Sequence, residues 1–112
     1  MLVYDHMDQE AKAQLRKGLL EYCILLAVGN GKAYASDIIE ALKVADLIIV
    51  EGTLYPLLTR MKNNSLLEYS WQESPSGPPR KYYALTPQGK ALKQRLDKTW
   101  DDLIASVSLL RR

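Results

Sequence analysis

The fold is decided by the segment Leu66-Leu-Glu-Tyr-Ser-Trp-Gln-Glu-Ser-Pro-Ser-Gly-Pro-Pro-Arg-Lys-Tyr-Tyr-Ala-Leu85. The helical spacing of apolar residues stops here, and the runs Leu66–Trp71 and Arg80–Leu85 are each typical of a strand. Residues 72–79 between them combine Ser, Gly and three prolines, a composition that indicates a loop. The segment therefore predicts an antiparallel hairpin with a long loop at its tip.

Apolar periodicity predicts helices before this hairpin. The first begins near Asp8, leaves His6 in an N-terminal tail and ends before Gly29. Its apolar stripe repeats at steps of four, three and four residues and consists of Leu15, Leu19, Tyr22 and Leu26. A short second helix covers residues 37–42, with the hydroxyl of Ser36 as its N-terminal cap.

A third helix is predicted to begin between Val50 and Thr53, because Pro56 is tolerated best in a first helical turn. Its buried side is marked by Leu54, Leu57, Leu58 and Met61. The preceding residues 46–50 fit either a short strand or a buried turn.

The last helix has the clearest start signal in the chain. Thr86 supplies a hydroxyl cap, and Pro87 stands at the first helical position. A heptad-like seam follows, made of Leu92, Leu96, Trp100 (or Thr99), Leu103, Val107 and Leu110. The seam either folds back on the chain's own core or pairs with a second copy. Pairing is favoured, because so large an apolar row is rarely left exposed on a monomer.

Composition bounds the function. The chain has 112 residues, enough for one domain, with 15 basic and 13 acidic side chains. One Cys and one His exclude a disulfide framework and a multi-Cys/His metal site. We find no membrane-spanning run, no secretory signal, no nucleophile motif and no phosphate-binding glycine loop. We therefore expect no catalytic residues, no metal, no cofactor and no membrane partner.

The order of elements predicts a mostly α fold with a β-hairpin (α+β), the winged helix-turn-helix. In this fold the third helix enters the DNA major groove. The third helix presents hydroxyl, amide and cationic groups, and the hairpin tip ends in Arg80 and Lys81, which are suited to binding phosphate. We expect residues 1–85 to form the DNA-binding domain with an N-terminal helical extension, and residues 86–112 to form a dimerisation helix.

Three segments resemble the PadR family of bacterial transcriptional regulators. They are Leu15-Arg-Lys-Gly-Leu-Leu-Glu-Tyr22, Glu51-Gly-Thr-Leu-Tyr-Pro-Leu-Leu58 and Gly77-Pro-Pro-Arg-Lys-Tyr-Tyr-Ala-Leu-Thr86. The resemblance implies a cytoplasmic, dimeric winged-helix repressor that leaves its operator when an effector binds. It implies that the third helix reads DNA through Thr53, Tyr55 and their neighbours, while Arg80 and Lys81 hold phosphate. The exposed face of the third helix adds Arg60 and Lys62, and the start of the second helix adds Tyr34 and Ser36, to the expected DNA-binding surface.

Two positions depart from the family pattern. Ala35-Ser36 stands where the family usually carries Gly-Tyr, so Ser36 or Tyr34 is expected to replace the phosphate contact of that aromatic. Ser65 replaces the usual glycine after the third helix, so Asn64 is expected to supply the left-handed turn.

The resemblance to small PadR-like regulators also suggests a ligand site at Trp100. A two-fold axis would bring two indoles together, and they would sandwich a flat aromatic compound. The alternative is that Trp100 only fills the interface. Lys17 and Glu21 of the first helix are weaker candidates for the same cavity.

Two functions stay open at this stage. The first is a regulator that binds double-stranded DNA as a homodimer and responds to a small aromatic effector. The second is a winged-helix module that binds partner proteins without contacting DNA.

Overall fold

The computed structural model describes residues 2–29, 31 and 33–112. The elements, in chain order, are α1 (Leu2–Val28), β1 (Ala33–Tyr34), α2 (Ala35–Val44), α3 (Glu51–Asn63), β2 (Leu67–Ser74), β3 (Gly77–Leu85) and α4 (Pro87–Leu110). The α+β order of three helices, a hairpin and a last helix confirms the winged helix-turn-helix.

Helix α1 begins earlier than its apolar stripe indicates. The expected start near Asp8 is wrong, since the helix includes His6 and begins at Leu2. No Gly or Pro interrupts these first turns, and the His6 imidazole lies 3.8 Å from the Glu10 carboxylate one turn later. Residues 6–15 are exposed, so this half of α1 projects from the domain.

The hairpin β2–β3, called the wing below, is longer than expected. Pairing runs from Leu67 opposite Leu85 to Ser74 opposite Gly77, so the long loop predicted over residues 72–79 is wrong. The tip is a tight turn at Pro75 and Ser76. The wing is therefore a stiff ladder almost to its end.

Two adjacent prolines, Pro78 and Pro79, fit inside β3 because of its position. From Gly77 to Lys81 the outer edge of β3 pairs with no strand in the described part of the chain, and the ladder to β2 is irregular between Gln72 and Ser74. An open edge and a bulge are the places where a strand tolerates the missing N–H of proline. The prolines therefore predicted a loop from the sequence, although the backbone at Pro78 and Pro79 is an extended strand.

A two-residue strand, β1, ties the wing to the helices. Ala33 pairs with Tyr83 and Tyr34 with Tyr82, giving the sheet order β1-β3-β2. Helix α2 follows directly with Tyr34 as its N-cap residue, and the Tyr34 N–H donates to the Asp37 carboxylate at 2.9 Å. The cap assigned to Ser36 is therefore wrong, and its hydroxyl is left for another contact.

Positive φ angles mark the turns after α2 and α3. Asp46 has φ 59° and the chain to Val50 forms neither helix nor strand, so residues 46–50 form a turn that buries Ile49. Ser65 has φ 62°, whereas Asn64 has φ −86°. The expectation that Asn64 supplies the left-handed residue is wrong, because the backbone N–H groups of Ser65 and Leu66 close the helix onto Lys62 and Met61.

The core lies where α1, α2 and α3 meet the sheet. Its fully enclosed side chains are Ile24, Leu25, Val28, Ile38, Leu54, Leu58, Met61 and Leu67. Helix α3 begins at Glu51, within the predicted range, with Pro56 in its second turn. One face of α3 packs against this core, and the opposite face is exposed.

The seam of α4 divides into two parts. Leu92 and Leu96 pack against the domain's own core, whereas Leu103, Val107 and Leu110 are exposed. The cap at Thr86 is confirmed, since its hydroxyl accepts from the Gly89 N–H at 2.9 Å. No helix in the described residues has the length and apolar character to cross a membrane.

Candidate nucleic-acid interface

The exposed side of α3 has two flanks. Leu54, Leu58 and Met61 are fully buried, and the helix turns by about 100° per residue. Tyr55, Thr59 and Lys62 therefore lie toward the wing. Thr53 and Arg60 lie toward α1, so the residues predicted to act together occupy opposite sides of one helix.

On the wing side, α2, α3 and the sheet enclose an open cleft of about 410 Å³, called the wing cleft below. Its lining is aromatic and cationic, with one carboxylate: Tyr34, Ala35, Ser36, Glu51, Tyr55, Trp71, Pro79, Arg80, Lys81 and Tyr83. Five of the predicted DNA-binding residues are brought together here. Guanidinium, ammonium and hydroxyl groups beside an exposed helix suit phosphate and base edges.

Arg80 of the wing cleft is held by two contacts. Its guanidinium carbon lies 3.9 Å from the centre of the Tyr34 ring, and its Nη2 donates to the Ser36 hydroxyl at 2.7 Å. Tyr34 in turn stacks on Tyr82 with ring centres 4.5 Å apart. Tyr34 and Ser36, the residues expected to replace the family's aromatic, both position Arg80.

Lys81 lies on the opposite face of the wing among aromatic rings. Its ammonium is 4.5 Å from the centre of the Tyr69 ring and 5.6 Å from that of the Trp71 ring. The Lys62 ammonium of α3 lies 5.9 Å from the centre of the same Tyr69 ring. Aromatic faces attract the cations and leave their N–H groups free to bind an anion. The wing and α3 thus share one row of cations.

Trp71 is a surface residue that the sequence patterns did not single out. Its side chain is 61% exposed on the wing, edge-on to Tyr69. In the sequence, a tryptophan within a predicted strand is an ordinary strand-forming residue, and nothing indicates that its indole is exposed. The one signal in the sequence is its alternation with Tyr69, which places both rings on the face of Lys81.

Arg60 and Thr53 belong to a second surface. The Arg60 guanidinium forms an ion pair with the Glu21 carboxylate of α1. Thr53, Arg60, Lys17 and Glu21 line a shallow groove of about 560 Å³ between α1 and α3. Within the chain, the structure thus places Lys17 and Glu21 beside α3.

The contact between α1 and α4 is polar and lies one turn from Trp100. The Tyr22 hydroxyl donates to the Asp97 carboxylate at 2.6 Å, and Lys93 contacts the same carboxylate at 3.1 Å. This hydrogen bond raises the pKa of Tyr22 to about 12 and, with Lys93, lowers the pKa of Asp97. Trp100 itself is 37% exposed.

Residues 24–95 match the transcriptional regulator PadR-like family. The chain belongs to this family. A PadR-like transcription factor from Bacteroides fragilis is 55% identical, with 90% of this chain and 98% of that one covered at a TM-score of 0.77. A PadR family regulator from Eggerthella lenta is 28% identical, with 98% and 96% covered at a TM-score of 0.85.

Two further comparisons cover less of this chain. Bacillus subtilis PadR, solved in complex with operator DNA, is 21% identical at a TM-score of 0.65 over 70% of this chain and 46% of that one, which shows the shared fold. An uncharacterised protein of Lysinibacillus sphaericus is 33% identical over 61 residues. This match spans 54% of this chain and 56% of that relative's length.

Proposed function

We propose that this PadR-family regulator is a homodimeric repressor that binds operator DNA and releases it when a small aromatic effector binds. Residues 1–85 form the DNA-binding domain, and residues 86–112 form the dimerisation helix. The protein acts on double-stranded DNA in the bacterial cytoplasm.

The wing cleft is the observation that carries DNA binding. Helix α3 exposes Tyr55 and Thr59 beside the cations Arg80 and Lys81. When α3 docks in a major groove, these cations lie within reach of the DNA phosphates. The operator complex of Bacillus subtilis PadR supports this function through the shared fold. We assign base contacts to Thr53 and Tyr55, and phosphate contacts to Tyr34, Ser36, Arg60, Lys62, Arg80 and Lys81.

The exposed end of α4 supports the dimer. Leu103, Ile104 and Val107 are each about half exposed although they stand on a continuous apolar row. A second copy related by a two-fold axis covers such a row with the same row of its own. The two α3 helices then face successive turns of an operator with two half-sites.

Trp100 is the proposed effector site. Its indole lies at the start of the exposed row, where a two-fold axis brings both copies together. Facing indoles bind flat aromatic compounds by stacking. Because α4 contacts α1 through Asp97 and Tyr22, a ligand at Trp100 acts one helical turn from the DNA-binding domain.

Gel-shift binding to a duplex from the protein's own promoter region tests the function. We expect a shifted complex at low salt, and changing Arg80 and Lys81 to Ala is expected to flatten the salt dependence by about one to two units of slope. An intact dimer that shifts no duplex would contradict DNA binding and favour the protein-interaction alternative. Pull-down in the absence of nucleic acid would then test that alternative.

Effector binding is tested by fluorescence in the Trp71→Phe variant, which leaves Trp100 as the reporter. We expect a panel of flat aromatic compounds to quench this variant and to dissociate the gel-shift complex. The Trp100→Phe variant, which retains Trp71, serves as its counterpart. Equal quenching of both variants would refute an effector site at Trp100.

A further inference from the structure

Helix α1 carries a pair of cations outside the proposed DNA-binding set. Arg16 and Lys17 line a groove of about 260 Å³ formed with residues 47–50 and Thr53. Arg16 is half-buried and Lys17 is exposed, and neither makes an ion pair within the part of the chain that is described. Their charge is therefore available at the surface.

Lys17 extends this cation pair to the outward face of α3. It shares the adjoining groove of about 560 Å³ with Gly52, Pro56 and Arg60. Gly52 and Pro56 lie opposite the buried Leu54 and Leu58, on the side that faces away from the core. The acidic residue in this groove, Glu21, is held by Arg60 and does not cancel the two free cations.

The position of the pair matches that of the wing across α3. Arg80 and Lys81 lie on one side of the helix, and Arg16 and Lys17 lie on the other. A helix with its side chains is about 10–12 Å wide, about the width of the B-DNA major groove. A helix that fills the groove has a phosphate strand along each side.

We propose that Arg16 and Lys17 bind the phosphate backbone of duplex DNA on the side of α3 opposite the wing. This inference rests on the proposed DNA-binding function and adds a second clamp to it. The wing holds one strand and α1 holds the other, so α3 is fixed in the groove from both sides. The contact is electrostatic and reads no sequence.

The test measures the affinity for a labelled duplex of random sequence by fluorescence anisotropy at a series of salt concentrations. The variants are Arg16→Gln with Lys17→Gln, and Arg80→Gln with Lys81→Gln. We expect each double variant to lower the slope of log affinity against log salt by about two units, because each phosphate contact contributes about 0.9. Their combination is expected to lower it by about four, since the clamps hold different strands.

Two controls separate charge from folding. Lys90→Gln with Arg95→Gln removes the same charge from exposed positions on α4 and is expected to leave the slope unchanged within about half a unit. Arg16→Lys with Lys17→Arg keeps the charge and is expected to retain the wild-type slope. On a defined operator duplex, hydroxyl-radical footprinting should lose protection, within each half-site, on one strand in the wing variant and on the other strand in the α1 variant.

The inference is overturned if the α1 variant keeps the wild-type slope while the wing variant loses two units. In that case the proposed DNA-binding function stands without the second clamp. A wild-type dimer that binds no duplex overturns both.

Discussion

At the residue scale, single backbone positions hold the helices in place. Ser65 takes the left-handed conformation after α3, and its carbonyl accepts the Thr86 hydroxyl at the start of α4. Gly89, one turn into α4, packs against the Leu66 carbonyl with no room for a side chain. The end of α3 and the start of α4 are therefore joined through four residues.

Gly89→Ala is expected to destabilise the protein by about 1–3 kcal/mol, because a Cβ at this position overlaps the Leu66 carbonyl oxygen and forces the backbone to shift. Gly18→Ala is the matched control. Its added methyl group meets nothing within 4 Å, and the higher helix propensity of alanine should stabilise the protein by about 0.5–1 kcal/mol. Urea denaturation followed by circular dichroism measures both. Equal effects of the two changes would argue against the close approach.

Ser65→Gly is expected to raise the free energy of unfolding by about 1 kcal/mol, since glycine adopts φ 62° without the steric cost that serine has. The backbone carbonyl that accepts from Thr86 is kept. Ser108→Gly, in the regular part of α4, should instead lower stability by about 0.5 kcal/mol. Thermal unfolding distinguishes the signs, and a destabilised Ser65→Gly would contradict the turn.

At the element scale, regular patterns predicted most of the fold and missed what depends on distant backbone pairing. The positions of α2, α3 and α4 followed from apolar spacing and from the cap at Thr86. The two-residue β1 is too short to show an apolar period in the sequence. The tip of the wing was predicted as a loop because Pro78 and Pro79 are typical of loops, although they lie in an extended strand. The early start of α1 was missed because residues 6–15 are exposed, so no buried stripe marks this half of the helix.

The candidate site was predictable in part for the same reason. Arg80 and Lys81 stood out as adjacent cations in the sequence. The contact of Arg80 with Ser36 joins positions 44 residues apart, and only the fold brings them together. The ion pair of Arg60 with Glu21 likewise depends on how α1 crosses α3.

The hydrogen bond between Tyr22 and Asp97 is expected to make the contact of α1 with α4 depend on pH at both extremes. The pKa of Tyr22 is raised to about 12, so its contribution is complete below pH 10 and is lost as pH rises from 10 through 12. The pKa of Asp97 is lowered, so its contribution is present above its ordinary pKa and is lost as pH falls through the lowered value.

The stability advantage of wild type over Tyr22→Phe should therefore be greatest between these limits. Denaturant titrations of both proteins across pH measure it, with Tyr55→Phe, at an exposed ring, as the control. A difference between wild type and Tyr22→Phe that stays constant from acid to alkali would refute the pairing.

At the scale of the whole molecule, the two ends of the chain project from a small core. The molecule measures 52 × 35 × 23 Å, and the exposed apolar side chains Leu103, Val107 and Leu110 extend along α4. A lone domain of this size gains nothing by holding such a row in water. The proposed dimer gives the row a place to be buried.

Leu103→Ser and Val107→Ser are each expected to weaken the dimer by about tenfold or more, because burying such a side chain contributes about 1.5–3 kcal/mol. Leu109→Ser is the matched control. Its side chain is 64% exposed and lies about a third of a helical turn around α4 from the seam. Analytical ultracentrifugation over a concentration series measures the dissociation constants. A Leu109→Ser variant that dissociates as readily would place the interface on another face.

The short strand β1 has a consequence for how fast the protein recognises DNA. Its two residues bond the wing to the start of α2, so the spacing between wing and recognition helix is set in the free protein. We expect association to lose little conformational entropy at this point, because the wing and α2 are already joined before the duplex binds. The wing and α3 therefore hold their spacing before the operator is met. We expect the association rate to depend on diffusion and charge more than on rearrangement of the protein.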